Sequence, residues 1–558
     1  MKSNKIKFSL DYSAVKTFLQ TLQPCLQEGD DTVYVIGNQR FINSFQSHSL
    51  SVEGFKNTGY RNLEYGIVIL VEADSIEIYN DVFGGYPLFK TQENDQAILS
   101  NFLDLSKESV IDTIAIIEFI HFNHVLGNRT LSTNTKRIPG ASKISINAQG
   151  YKDERLLEWS DLEAILFDDE APTPSEKSWS GIDAFISSSK TTNPKDVLTL
   201  TGGFDSRLIM AVMLNAKSKF STITWGQSGN LQTKTAEQIS KDHSLEHREV
   251  KLDDEFQNEI NTYLDYIVSN GSESPFIIDI PQFVHMCRGL EKDTNLISGF
   301  MGSEIIRGPS YSSQVTLTKF AADIGLAKTK EEIKLLIQEF QTEYPFLDDT
   351  VVNQNIDELV DLYADYSKIG KQNSNRNTSI FKYLFLEKYP KIYGPIVKFH
   401  QDQDINLINP FMSIDFIKRM LRENKAKTDL TPYEGNAFYN YKLYKYYAIA
   451  INGIHPPLNK TYVDRGYKIA DLISPLGLIK LPLFQIYRKY LRKHKVKETP
   501  TVDSKKWYQS HLEKNAENLD ERLLSIINND TLKNINQLNS VHSIKSQLIL
   551  GLNKKLKA

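Results

Sequence analysis

Cysteine is almost missing from this chain. Only Cys25 and Cys287 occur in 558 residues, far apart and with no cysteine or histidine cluster around either, which excludes a disulfide framework and a zinc site. Both read as packed thiols. Long apolar runs are missing too: nothing approaches the about 20 residues needed to span a bilayer, and the opening Met-Lys-Ser-Asn-Lys-Ile-Lys lacks the apolar core of a secretory signal. A cytoplasmic protein with no membrane span is the expectation. Neither sign of charge prevails, since 65 Lys and Arg face 69 Asp and Glu for a formal net charge of −4, so no nucleic acid partner is expected. Internal repeats and low-complexity tracts are also absent. What is there is an ordinary core, 40% hydrophobic, in a chain long enough for two domains and an appended helical segment.

The patterning divides the chain at 1–170, 176–475 and 476–558. In the first span short β-like stretches recur at 32–36, 66–71 and 75–79, followed by the turn-rich Asp-Val-Phe-Gly-Gly-Tyr-Pro-Leu-Phe at 81–89. A helix is expected near 111–122 and a β pair around 137–146. Residues 168–175 have the charge and proline content of a linker. From Trp179 onward helices alternate with buried strands: a helix to about 189, a strand ending near 200, a helix at 208–214, a strand at 220–226, a helix at 233–243, and strands at 247–251 and 295–298. That order predicts a parallel sheet covered on both faces, with ligands at the carboxyl ends of its strands. Residues beyond about 310 read as mostly helical. The basic stretch 488–497 reads as a solvated helix face, with a surface for phosphate, acidic partners or membrane as the alternative.

Residues 197–207 carry the chemistry. An apolar run breaks into Thr201, Gly202, Gly203, Phe204, Asp205 and Ser206 and then into a helical pattern. A strand that ends in two glycines and restarts as a helix presents amide N–H groups and a positive dipole end at one point, which suits a polyphosphate. Asp205 adds a carboxylate able to hold Mg²⁺ against phosphate oxygens. The Walker pattern is absent around it, which argues against cleavage between the β and γ phosphates. A tight turn with no ligand is the plainer alternative.

The hexapeptide at 201–206 resembles the S-G-G-x-D-S pyrophosphate loop of the N-type ATP pyrophosphatases, with Thr201 in place of Ser and the hydroxyl kept. Further matches accompany it. Residues 81–89 are similar to a D-x-x-G-x-x-P-L-Y stretch, and Thr130-Leu131 with 137–140 to a T-L…L-P-P-G hairpin. Residues 224–226 and 298–304 support the loop. Over roughly 60–470 the chain looks like a member of the asparagine synthetase-related family. The resemblance implies α/β and α+β architecture: an N-terminal, Ntn-like αββα sandwich of glutaminase type and a C-terminal parallel-sheet, adenine nucleotide α-hydrolase-like (PP-loop) synthetase domain with helical additions. It also implies ATP and Mg²⁺. Leu200, Thr224 and Trp225 would frame adenine, and Thr201, Gly202, Gly203 and Ser206 would cradle the pyrophosphate. Ser298, Gly299 and Gly302 complete the nucleotide site, and Asp205 and Glu304 would hold the metal.

Several positions depart from the family. Its glutaminases need an N-terminal cysteine as nucleophile, whereas this chain begins Met-Lys, reaches no cysteine before Cys25, and lacks the N-G-E segment. The first domain is therefore expected to be a structural cap that releases no ammonia. The stretch 298–304 fits S-G-x-G-x-D-E with one inserted residue, which puts Glu304 at the metal-binding aspartate; read without the gap, Ser303 stands there and the ligand is lost. Glu304 is the preferred assignment. The E-x-R-x-P-F-L-D segment corresponds to 406–413, which keeps Pro410 and Phe411 but has Asn406 for the acid. Where the family has a lysine, Arg465 offers a permanent positive charge for a departing pyrophosphate, or is a surface arginine.

The reaction implied is ATP-dependent amide formation, with Asp205 and Arg465 as the catalytic pair. A carboxylate attacks the α-phosphorus, pyrophosphate leaves, and an amine displaces AMP from the acyl-adenylate. The partners implied are ATP, a small carboxylate or peptide, and an amine: free ammonia, an amine supplied in trans, or one on the substrate itself, as in the related β-lactam synthetases and lasso-peptide cyclases. A non-catalytic ATP-binding or scaffold protein is the competing expectation, motivated by Asn406 and by Phe300-Met301. RNA thiolation or lysidine formation would want a basic face or paired cysteines, and the chain offers neither.

Overall fold

The computed structural model describes residues 5–105, 109–167, 179–191, 195–269, 280–308, 317–369, 378–423, 437–463, 467–477, most of 479–483, 519–528 and scattered positions between 549 and 556. The expected linker at 168–175, Arg465 and the basic stretch 488–497 lie outside the described residues.

The first part forms β1 (Lys7–Ser9), β2 (Leu26–Glu28), β3 (Asp31–Ile36), β4 (Ile67–Val71), β5 (Ile76–Asn80), β6 (Phe89–Glu93), β7 (Gln96–Ser100), β8 (Thr135–Arg137), β9 (Ser142–Asn147) and β10 (Gly150–Arg155). They make two antiparallel sheets, in the orders β1-β7-β6-β8 and β10-β9-β5-β4-β3-β2. Successive side chains of a strand point to opposite faces, and this sequence buries both. Val33, Val35, Val68 and Leu70 pack with Phe41, Phe45 and Phe55 of the helices Gln39–Gln46 and Val52–Asn57. Ile67, Ile69, Ile76 and Ile78 join the core that holds Phe8, Ala97 and Leu99 of the smaller sheet. The larger sheet thus has one helical face and one face turned to the shared core.

The β pair expected around 137–146 does not form. β8 joins β6, whereas β9 joins β5 and β10, so the chain crosses between sheets at 138–141. Two local constraints cause this: Ala141 takes a left-handed φ of 50°, and Gly140 lies backbone-on-backbone against residues 82–84. A Cβ on Gly140 would fall 2.5 Å from Gly84 N and Val82 O.

In the second part β11 (Lys195–Thr199), β12 (Ser221–Gly226), β13 (His247–Lys251), β14 (Thr294–Ile297) and β15 (Asn406–Ile408) form a parallel sheet in the order β13-β12-β11-β14-β15. β15 interrupts the helical reading of residues beyond 310. It is too short to show a period and is recruited by pairing with β14, Leu407 opposite Leu296. The chain lays β12 and β13 to one side of β11 and then returns to place β14 on the other. The order therefore reverses between β11 and β14, where open parallel sheets form a crevice at their carboxyl ends. No described helix is long and apolar enough to cross a membrane.

The two parts meet through residues 81–89. Asp81 is fully buried and its carboxylate accepts from the amides of Phe83 (3.2 Å), Gly85 (2.8 Å) and Tyr86 (2.7 Å). Phe83 stacks on Phe385 at 5.3 Å and meets Tyr389 edge-on at 5.7 Å, and the Tyr65 hydroxyl donates to Gly394 O at 2.9 Å. Phe385 and Tyr389 sit in a π-helical stretch, Leu384–Tyr393, containing Pro390, which has no N–H to donate. Gly394 admits no side chain, since a Cβ there would lie 2.1 Å from Gly85 O. Gly394→Ala is accordingly expected to force the parts away from each other and lower stability by about 2 kcal/mol or more. Urea unfolding measures this against Gly453→Ala, where a Cβ would meet nothing within 4 Å; equal stability of the two variants would contradict it.

Candidate functional site

β11 ends at Thr199 and the helix Asp205–Asn215 begins beyond the two glycines. Leu200 still belongs to the sheet, with its amide donating to Ile223 O at 2.8 Å and its side chain fully buried. The turn itself is shaped by two hydroxyls. Thr201 N donates to Ser206 Oγ at 3.1 Å, Gly203 N donates to Thr201 Oγ1 at 3.2 Å, and the two hydroxyl oxygens are 3.2 Å apart. Phe204 precedes the helix and supplies no side-chain cap. The first turn therefore keeps the uncapped N–H groups and positive dipole end that favour an anion.

The loop after β14 closes on this turn from the far side of the reversal point. Ser298 N donates to Ile408 O at 2.8 Å, and its hydroxyl accepts from Phe300 N at 3.3 Å. Gly299 lies so near the helix start that a Cβ would stand 3.0 Å from Ser206 N. A Cβ on Gly302 would stand 2.9 Å from Asp205 Oδ1 and 2.7 Å from the Phe411 ring. Met301 between them takes φ of 62°.

Asp205 is the centre of the arrangement. Ser303 Oγ donates to its Oδ2 at 2.8 Å, and the Tyr447 hydroxyl donates to Oδ1. Burial pushes its carboxyl above the ordinary 3.8, against the opposing pull of Tyr447, Arg307 and Ser303. Arg307 Nη1 donates to the Tyr444 hydroxyl at 2.7 Å, with the guanidinium 4.8 Å from the centre of the Tyr444 ring. Burial opposes the charge on Arg307, and Tyr444, Tyr447, Asp205 and Glu304 more than offset it. Phe204 packs on both tyrosines, at 5.2 and 5.6 Å. Arg207, fully buried, donates to Gly202 O at 3.1 Å, to Thr461 Oγ1 at 3.2 Å and to Tyr462 O.

The structure thus brings Thr201, Gly202, Gly203, Asp205, Ser206, Ser298, Gly299 and Gly302 together at the carboxyl ends of β11 and β14. Thr224 is buried in β12 opposite Glu249. Trp225 donates from its indole to Gln282 Oε1 at 3.1 Å and packs on Phe283 at 5.3 Å, which ties its ring to the helix Ile280–Cys287. Of Ser303 and Glu304, it is Ser303, the residue placed there by the ungapped reading, that bonds Asp205. Glu304 follows it in the helix Gly302–Arg307 and acts on Arg307 and Tyr447 through its charge. Among the described residues no group of three or more His, Cys, Asp and Glu is disposed to hold a metal. Asn406 Nδ2 donates to Ser189 O and Asn295 Oδ1, both at 2.7 Å. Cys25 is internal, its amide donating to Val33 O at 2.7 Å, and burial pushes its thiol up.

Sequence reasoning missed Ser303 as a contact of Asp205, together with Arg207, Arg307, Tyr444 and Tyr447. The one available signal was the tyrosine-rich run at 438–447, where positions three apart share a helix face.

No family model matches the sequence and no curated protein sequence matches it. Among solved structures, glutamine phosphoribosylpyrophosphate amidotransferase from B. subtilis, complexed with ADP and GMP, is similar at 8% identity and a TM-score of 0.13. The match covers 53% of this chain and 60% of that one. A likeness at that score carries no argument about fold or function.

A carboxyl whose pKa is higher in the fold than in the unfolded chain loses stability as pH rises through its folded value, because ionisation is disfavoured inside. Asp205→Asn cannot ionise and is expected to unfold at higher urea concentration than the parent near about pH 7, with the gain shrinking as pH falls toward 3.8. A gain that is absent, or unchanged by pH, would contradict the burial of this charge.

Proposed function

We propose that the chain is an ATP-dependent, amide-forming ligase of the asparagine synthetase type that activates a carboxylate as an acyl-adenylate. One observation carries this reading: an uncapped helix start behind two glycines lies at the reversal point of a parallel sheet, with Asp205 on its first turn. In such a place amides and the Thr201 and Ser206 hydroxyls would bind pyrophosphate oxygens, and among the described residues Asp205 is the carboxylate on the same turn. Its oxygens are bonded by two neutral hydroxyls, which a hard cation can displace. Mg²⁺ bound there would spread the charge of the phosphates as pyrophosphate leaves. Arg207 would keep Gly202 O turned inward, away from the phosphates, and in sequence Arg465 comes three residues after Tyr462, whose carbonyl Arg207 bonds. The carboxylate oxygen bonds to the α-phosphorus as the bond to the pyrophosphate oxygen breaks; an amine then bonds to the acyl carbon, losing a proton as AMP departs.

The competing proposal is a non-catalytic nucleotide-binding scaffold. Ser303 on Asp205, and Asn406 given over to holding β15, favour it. One assay separates the two. Purified protein with ATP, Mg²⁺ and pooled carboxylic acids is expected to release AMP and pyrophosphate only when the acids are present, and Asp205→Ala to slow this about a hundredfold or more. Binding of ATP without turnover would favour the scaffold, and no ATP binding would overturn both.

A further inference from the structure

A cavity of about 270 Å³ lies between the two parts of the chain, and its walls share no residue with the loop at 201–206. Its deepest wall is already satisfied. Glu387 and Lys391 are buried and paired at 2.5 Å. Glu387 also accepts from Gly127 N at 3.0 Å and from the Tyr366 hydroxyl, while Lys391 donates to Val125 O at 2.6 Å and Gly127 O at 2.9 Å.

The outer walls differ. Arg155 and Lys382 both line the cavity, one from each part, with side chains 28% and 12% exposed. Their carboxylate partners, Glu158 at 3.5 Å and Asp365 at 2.8 Å, are each 65% exposed. Exposed partners neutralise a charge weakly and are readily exchanged for water or another anion. In all, four cationic side chains (Arg137, Arg155, Lys382, Lys391) line the cavity against three carboxylates (Glu158, Asp365, Glu387). Trp159, also in the wall, is 8% exposed, and its indole N–H has no acceptor among the described residues. Excess positive charge and two cations whose partners are exposed call for the same complement.

We propose that this cavity binds a small anion bearing carboxylate or phosphate oxygens, held by Arg155 and Lys382, with Trp159 in the adjoining wall. The volume suits a compact metabolite. Because the two cations belong to different parts of the chain, the anion bridges them, and its binding raises the stability of the docked form by mass action. The proposal is independent of the nucleotide reading.

Inorganic phosphate and succinate, titrated separately into the full chain, test it by calorimetry, tryptophan fluorescence and thermal unfolding. At least one probe is expected to bind saturably, raise the melting temperature and change the fluorescence. Phosphate alone would point to a phosphorylated ligand, succinate alone to a carboxylate. The double variant Arg155→Gln/Lys382→Met, which keeps the aliphatic stems, is expected to weaken binding at least about tenfold, and Asp205→Ala to leave it unchanged. Trp159→Phe should remove the fluorescence response while the fold persists. Should the double variant fail to fold, Lys382→Met alone carries the comparison. No saturation by either probe below about 10 mM, or affinity unaltered by loss of the cations, would overturn the proposal.

Discussion

A carboxylate placed half-buried on the first turn of a helix organises the contacts around the Gly-Gly turn. Withdrawing part of Asp205 from solvent is costly, and the fold compensates with the helix dipole, two hydroxyl donors and the charge of Arg307. The compensating groups come from two further elements: Ser303 and Arg307 from the helix Gly302–Arg307, and Tyr447 from the helix Ala437–Ile454. Those elements approach closely because Gly299 and Gly302 present no side chains to the helix start. On the proposed function, the stability cost of an ionisable residue at this turn is offset by its use as a cation ligand.

The junction between the parts is built on a different principle. Gly85 against Gly394 brings the two backbones into direct contact, and Gly84 against Gly140 holds the loop that presents Gly85, with Phe83 packed on Phe385 and Tyr389 beside them. Around those contacts lie Asp81, saturated by amides, and the Glu387–Lys391 pair. The pair sits within one segment, but Glu387 accepts from Gly127 N and Lys391 donates to Val125 O and Gly127 O across the junction. Docking that slips leaves those buried charges short of partners, at about 1–3 kcal/mol each, which is what a cavity needing one group from each part requires.

Much of this was legible in the sequence, and what was not has physical causes. The parallel sheet, the Gly-Gly turn and the glycines after β14 follow from local pattern, because strand, turn and helix signals fall within a few residues of each other. The separation of β8 from β9 was hidden, since Gly140 is constrained by Gly84, more than 50 residues away. β15 was hidden because three residues cannot display a period. Ser303 became a contact of Asp205 through the left-handed turn at Met301, a backbone property that motif alignment does not weigh. Tyr444 and Tyr447 sit far along the chain in a run that reads as ordinary helix.

The charge balance around the Gly-Gly turn decides what the two functional proposals demand. Among the described residues there, Asp205 and Glu304 stand with Arg307 and Arg207, and both arginines are already engaged with tyrosine, threonine and carbonyl oxygens. Such a set is close to neutral, whereas a polyphosphate is strongly anionic. Simple binding can be served by amides and a helix dipole, which stabilise an anion without carrying net charge. Turnover asks for more, since charge moves onto the leaving pyrophosphate and must be met by groups that strengthen as it develops. On the ligase proposal that excess has to come from a cation on Asp205 and from Arg465, whereas the scaffold proposal needs neither. The two differ physically in whether positive charge can be added to a site that the fold itself leaves balanced.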